Sequence, residues 1–152
     1  MKKLQVFVSS TYKDLVEERQ TAVQSILDAS HIPAGMELFR AGKTQMETIR
    51  RWIDESDIYC LILGGRYGTV DSTGFKSYVQ LEYEYAVVKG KPLFALVLTE
   101  KMLNEKAKIQ GKEAVFEQEH IEEYKAFKQM VEGHVVKFVN NHSEISKCIV
   151  LE

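Results

Sequence analysis

The sequence predicts an α/β fold, one five-stranded parallel sheet with helices on both faces. Three observations predict it. Ile58-Tyr59-Cys60-Leu61-Ile62-Leu63 and Leu93-Phe94-Ala95-Leu96-Val97-Leu98 are apolar throughout, the pattern of strands buried on both faces of a parallel sheet. Segments of helical period separate the apolar runs. The chain has 152 residues, 45% apolar and 28% charged, the size and balance of one globular domain.

The elements follow in order. Leu4-Gln5-Val6-Phe7-Val8 is a strand that stops at Ser9-Ser10. Thr11 and Asp14 form a capping box for a first helix with Leu15, Ala22, Val23, Ile26 and Leu27 on one face. Pro33 and Gly35 close that region, and Met36-Glu37-Leu38-Phe39 is the expected second strand. Residues 42–55 form a helix that buries Met46, Ile49, Trp52 and Ile53. The third strand, residues 58–63, ends at Gly64-Gly65-Arg66-Tyr67-Gly68, and a loop through Asp71 and Gly74 follows. Ser77 and Gln80 cap a third helix over residues 77–89, with Leu81, Tyr85 and Val88 as its apolar stripe. Gly90 and Pro92 stop it. Residues 93–98 are the fourth strand, 100–112 a loop or weak helix, and 113–132 one long helix with Phe116, Tyr124, Phe127 and Val131 inward. Residues 135–139 are the fifth strand, and a last helix with Ile145, Ile149 and Val150 opens at Ser143.

This alternation predicts a flavodoxin-like three-layer sandwich, strand order 2-1-3-4-5, with the first, third and fourth strands central. The apolar stripe runs uncapped into Cys148-Ile149-Val150-Leu151-Glu152. One domain over residues 1–152, forming the N-terminal part of a longer protein, is therefore expected.

Composition excludes several function classes. Lys and Arg total 20 and Asp and Glu 22, a net charge of −2, and neither half of the chain is a basic arm. Nucleic-acid binding through bulk charge is not expected. The longest apolar runs have six residues, far short of the roughly 20 of a membrane span. Ser9, Ser10 and Lys13 interrupt the first apolar run too early for a signal peptide. Cys60 and Cys148 have neither framework nor metal spacing, and two reduced thiols in a cytoplasmic protein are expected.

In open parallel sheets, ligands bind beyond the carboxyl ends of the strands. This rule selects Ser9, Ser10, Thr11 and Tyr12 after the first strand, Glu37 to Arg40 after the second, and Gly64, Gly65, Arg66, Tyr67 and Gly68 after the third. The helix opening at Ser77 adds Tyr78 and Glu82. The glycines let backbone amides approach a ligand, and Arg66 offers a bidentate partner for phosphate or carboxylate. A tight turn explains the same glycines equally well. Gly42-Lys43-Thr44 is not the end of a P-loop, because position 37 would need glycine and carries Glu37. The four histidines pair with no Cys or Asp at ligand spacing, and no G-x-S-x-G elbow is present. Five of the seven tyrosines fall between Tyr59 and Tyr85, compatible with a stacking pocket or with core. Glu82 lies beside the Leu81–Tyr85–Val88 stripe in about the second turn of its helix. The helix dipole favours its charged form there by roughly 0.3–1 kcal/mol, which suits a nucleophile or electrostatic stabiliser rather than an acid.

Taken together, Val6-Phe7-Val8-Ser9-Ser10-Thr11, Asp14-Leu15, Glu18-Arg19, Met36-Glu37-Leu38-Phe39, Ser56-Asp57, Gly64-Gly65-Arg66-Tyr67-Gly68, Ser77-Tyr78, Leu81-Glu82-Tyr83-Glu84-Tyr85-Ala86 and Gly90-Lys91-Pro92 resemble an uncharacterised domain that often precedes NACHT-type or related signalling NTPases. That domain is similar to TIR domains and, more remotely, to nucleoside 2-deoxyribosyltransferases. The resemblance covers residues 3–98 and implies a TIR-like fold. In the TIR NADases and the transferases the catalytic glutamate lies on the corresponding helix, and Glu82 is the matching position. It implies a carboxylate facing the anomeric carbon of a ribose, with Ser9 and Ser10 lining the pocket and Arg66 holding a phosphate. It implies NAD or a related nucleotide as substrate or ligand, with no further cofactor. It also implies a signalling or defence role, self-association, and an NTPase domain downstream in the same chain. The alternative is a non-catalytic sensing or self-association module. The sequence departs from the family at Val79-Gln80, where Thr-Glu is usual, and from TIR domains at Tyr78-Val79, where Trp-Cys is common.

Overall fold

A computed structural model of the chain describes residues 2–35, 45–71 and 74–150. Five strands, β1 (Gln5–Ser9), β2 (Ile32–Gly35), β3 (Ile58–Leu63), β4 (Leu93–Leu98) and β5 (Val136–Val139), form one sheet in the order β2-β1-β3-β4-β5. All four pairings are parallel. The described helices are α1 (Val16–Asp28), α2 (Gln45–Glu55), α3 (Tyr78–Val88), α4 (Glu100–Gln110), the single turn α5 (Lys112–Val115), α6 (Ile121–Glu132) and α7 (His142–Val150).

Side-chain alternation along the strands assigns the two layers. Val6, Val8, Cys60, Ile62, Leu96 and Leu98 face one way, onto Leu15, Ala22 and Ile26 of the α1 region, Met102 and Leu103 of α4, and Ile145 and Ile149 of α7. Phe7, Tyr59, Leu61, Leu63, Ala95 and Val97 face the other, onto Ile49 and Ile53 of α2, Val79, Tyr83 and Ala86 of α3, and Phe127 and Val131 of α6. The three central strands are those expected, because only strands covered on both faces are apolar throughout.

Four expectations change. The second strand is Ile32–Gly35, paired with residues Gln5 to Val8; the Met36–Phe39 segment lies outside the described residues. β2 is an edge strand, where a proline such as Pro33 is tolerated, so the Pro-Gly signal marked a strand rather than its end. The first helix starts after Leu15, which occupies the N-cap with no side-chain cap, so Thr11 and Asp14 do not form the capping box. The long helix breaks into α5 and α6, while residues Glu100 to Gln110 are helical behind a Thr99 cap that accepts from Met102 N–H at 3.3 Å. Finally, α3 buries Val79, Gln80, Glu82, Tyr83 and Ala86, whereas Val88 is 83% exposed. The helix is rotated from the apolar stripe because its two buried polar side chains find partners inside the fold.

Candidate functional site

The site begins at the carboxyl end of β1. Ser9, in the same alternation as Phe7, faces α3, and its hydroxyl donates to Glu82 Oε1 at 2.8 Å. Ser10 turns to the opposite layer, where the buried Arg19 guanidinium donates to Ser10 Oγ at 2.9 Å and to the Val8 carbonyl at 3.1 Å. The Ser10 hydroxyl donates to the Thr11 carbonyl at 2.7 Å. Two adjacent serines therefore serve different layers, one on the acid and one on the base.

Glu82 is only 4% exposed. Burial pushes its carboxyl up to about 7, against the opposing pull of the Ser9 hydroxyl and the Arg19 charge. The expectation that the charged form is favoured is corrected. A helix-terminus effect of a few tenths of a kcal/mol is outweighed by desolvation worth several times more. A carboxyl poised near neutrality suits proton transfer as well as charge stabilisation.

The start of α3 is fixed by Ser77, buried, whose hydroxyl oxygen accepts from Gln80 N–H at 3.1 Å. Tyr78 is half-buried, and its N–H donates to the Thr69 carbonyl at 3.0 Å. The Tyr67 hydroxyl, fully buried, donates to Gln80 Oε1. Gln80 Nε2 in turn donates to Glu84 at 2.9 Å, and Glu84 meets Lys76 at 2.8 Å. A glutamine at position 80 both accepts and donates, which an ionised glutamate does not. Ser77, Tyr67 and Gln80 thus hold the helix that presents Glu82.

The loop Gly64 to Gly68 also packs tightly. The Gly65 carbonyl accepts from Glu117 N–H at 2.8 Å, and the Gly64 carbonyl from the Tyr124 hydroxyl at 2.7 Å. A Cβ on Gly65 would lie 2.4 Å from the Val115 carbonyl oxygen. Gly65→Ala is expected to cost about 3 kcal/mol, read as a lower urea midpoint; an unchanged midpoint would show that the α5 turn shifts freely. Gly68 has φ +95°, and a Cβ there would sit 2.8 Å from Thr11 Cγ2. Arg66 is half-buried and makes no hydrogen bond or ion pair among the described residues, but it lies in the field of Asp14 and Glu117. Burial raises the Asp14 carboxyl, partly offset by Arg66 and Lys106. Burial also works against Glu117, yet backbone N–H groups of Tyr67, His120 and Glu119 outweigh it and hold its carboxyl low. Glu37 lies outside the described residues.

Sequence reasoning missed two further sets of residues. Tyr59 of β3 lies beside Glu82, and the apolar run marked it only as core. On the far layer, Glu18, fully buried, meets Lys106 at 3.0 Å and His142 at 2.9 Å. These residues come from α1, α4 and α7; Glu18 carried a signal only within the Glu18-Arg19 motif, and nothing local linked it to Lys106 or His142. Glu17, Glu18 and His142 each offer a ligand atom within 4.8 Å of one another, but the Glu18 carboxylate is already engaged on both oxygens, so the trio is a clasp between helices. Beside it lies a groove of about 860 Å³ between α1 and α7, lined among others by Tyr12, Gln24, Asp28 and Ser146. It flanks the sandwich and reaches Tyr12 and Arg19 beside the end of β1, but its lining includes neither Ser9 nor Glu82. No helix among the described residues is long and apolar enough to cross a membrane.

Comparison with known proteins adds the following. A family model described as a domain of unknown function (DUF4062) matches residues 5–150. No curated protein matches the chain. Among solved structures, a CMP N-glycosidase of Clostridium botulinum, BcmB, is similar at 14% identity and TM-score 0.54, over 97% of this chain and 98% of that one. A flavo-di-iron protein variant from Thermotoga maritima is similar at 12% identity and TM-score 0.58, over 99% of this chain and 36% of that one. A flavoprotein from the same organism is similar at 14% identity and TM-score 0.55, over 99% and 35%. The chain thus spans about a third of the length of these two flavoproteins. At such identities the likeness is one of fold, and it bears out the flavodoxin-like sheet order.

Proposed function

The chain belongs to this family of unknown function, and we propose that it binds a nucleotide and cleaves its N-glycosidic bond, with Glu82 as the key carboxyl group. The observation that carries the reading is the Ser9–Glu82 pair: a buried carboxyl, poised near neutrality, at the carboxyl end of a central strand. The fold similarity to a CMP N-glycosidase supports the same class of chemistry.

In this reading the anomeric carbon of the ribose sits against Glu82. The C–N bond breaks with its electron pair leaving on the base, and positive charge develops on the sugar. Glu82 starts protonated and gives its proton to the departing base; the carboxylate so formed stabilises the positive sugar until water adds to the anomeric carbon and returns a proton to Glu82. Ser9 fixes the carboxyl. Thr11, Gly64, Gly65, Tyr67, Ser77 and Tyr78 would form the surrounding wall, and Arg66 would meet the phosphate. The resemblance to domains that precede NACHT-type NTPases extends the proposal to a signalling or defence module in which NAD is a further substrate.

Incubation with CMP, other nucleoside monophosphates and NAD, with free base and nicotinamide quantified by chromatography, tests this. Release by the wild type and its loss in Glu82→Gln are expected. Equal release by both proteins removes Glu82 from the chemistry. The near-complete burial of Glu82 favours a second reading, a non-catalytic sensing module. Saturable nucleotide binding without any base release, in the associated as well as the monomeric protein, would select it.

A further inference from the structure

The Tyr59 ring is accounted for by packing. It stacks on Phe7 with centroids 5.8 Å apart and planes 8° from parallel, and meets the edge of Tyr83 at 6.1 Å. A phenylalanine would make the same contacts. The hydroxyl is not accounted for. It is buried and has no hydrogen-bond partner among the described residues, although it lies beside the Ser9 hydroxyl and the Glu82 carboxyl. A buried unpaired hydroxyl carries a desolvation cost, and such groups cluster where chemistry demands them. Glu82 Oε1 accepts from Ser9 at 2.8 Å.

We propose that Tyr59 is a positioning residue for Glu82: when the carboxyl ionises, the Tyr59 O–H donates to it, so that donors from two strands hold the carboxylate. This rests on the reading of Glu82 as the working group. The other groups acting on Glu82 from packed elements are the Arg19 charge from α1 and the neutral Ser9 hydroxyl from β1; Tyr83, on its own helix, faces Tyr59. A hydrogen bond to the charged form favours ionisation, so the Tyr59 hydroxyl holds the Glu82 midpoint below the value burial alone would impose.

The test is the ionisation of Glu82 followed by carboxyl carbon NMR, with the resonance assigned by its loss in Glu82→Gln. Tyr59→Phe is expected to raise the midpoint by about one pH unit, a tenfold weaker acid, and to move the acid limb of base release upward by the same amount. Site-specific 3-fluorotyrosine at position 59 keeps the ring and strengthens the donor, and is expected to lower the midpoint. Both midpoints unmoved in folded protein would overturn the proposal. The NMR arm needs no substrate. A shifted midpoint without base release from any nucleotide therefore upholds the Tyr59 role and sinks the hydrolase reading. Loss of release in Glu82→Gln with an unaltered Tyr59→Phe profile does the reverse.

Discussion

Replacing Glu82 with glutamine is expected to stabilise the protein in alkali. The folded carboxyl ionises near 7, above its ordinary 4.5. Between these values the folded chain keeps a proton that the unfolded chain has lost. Its contribution is therefore fully present below about pH 4.5 and is lost as pH rises through about 7. The gap corresponds to on the order of 3 kcal/mol at about 1.4 kcal/mol per pH unit. Glutamine is nearly isosteric, still accepts from Ser9, and has no charge to desolvate. Urea denaturation between pH 4 and 9 should show the wild type losing stability relative to Glu82→Gln from about pH 4.5 to 7, with a constant difference between the two proteins above about 7. Asp14, also raised by burial, is common to both proteins and cancels in the difference. Parallel curves would mean that Glu82 ionises as an ordinary exposed carboxylate.

The clasp on the opposite layer should show a destabilisation of similar size. Lys106 and Glu18 are 10% and 0% exposed at their side chains, and His142 reaches the same carboxylate. Truncation as Glu18→Ala strands the ammonium group in a dry environment, and such one-sided losses cost about 3–5 kcal/mol. The change should appear as a lower Tm and faster amide exchange in α7, which the clasp ties to α1 together with the Ser25–Ser146 contact at 3.0 Å. Removing both charges, as Glu18→Leu with Lys106→Met, should recover most of the loss, because the cost lies in the unpaired charge more than in the missing pair. A loss below about 1 kcal/mol for Glu18→Ala would place the pair in effect at the surface.

Much of the fold was legible because parallel strands advertise themselves. Residues Ile58 to Leu63 and Leu93 to Leu98 are buried along nearly their whole length, and nothing but a strand covered on both faces needs such runs. The short edge strand β2 was hidden, since Pro33 and Gly35 fit a turn as well as an edge. The rotation of α3 was hidden for another reason. Gln80 and Glu82 face inward toward Tyr67 and Ser9, which lie 13 and 73 residues away, and no local period carries that information. The strand-end rule selected Ser9 and Glu82, which the fold brings into contact, while the helix-dipole argument could not foresee the upward push of burial, a tertiary property. Tyr59 and Arg19 were legible as core strand and helix, and their roles emerge only from what the fold sets beside them.

The central claim, that nucleotide chemistry occurs at Ser9 and Glu82, is tested most directly by a crystal structure of Glu82→Gln in complex with CMP or NAD. The account predicts the anomeric carbon within about 3.5 Å of the side chain at position 82, beside the Ser9 hydroxyl. A nucleotide seated instead in the α1–α7 groove, with the end of β1 unoccupied, would contradict it.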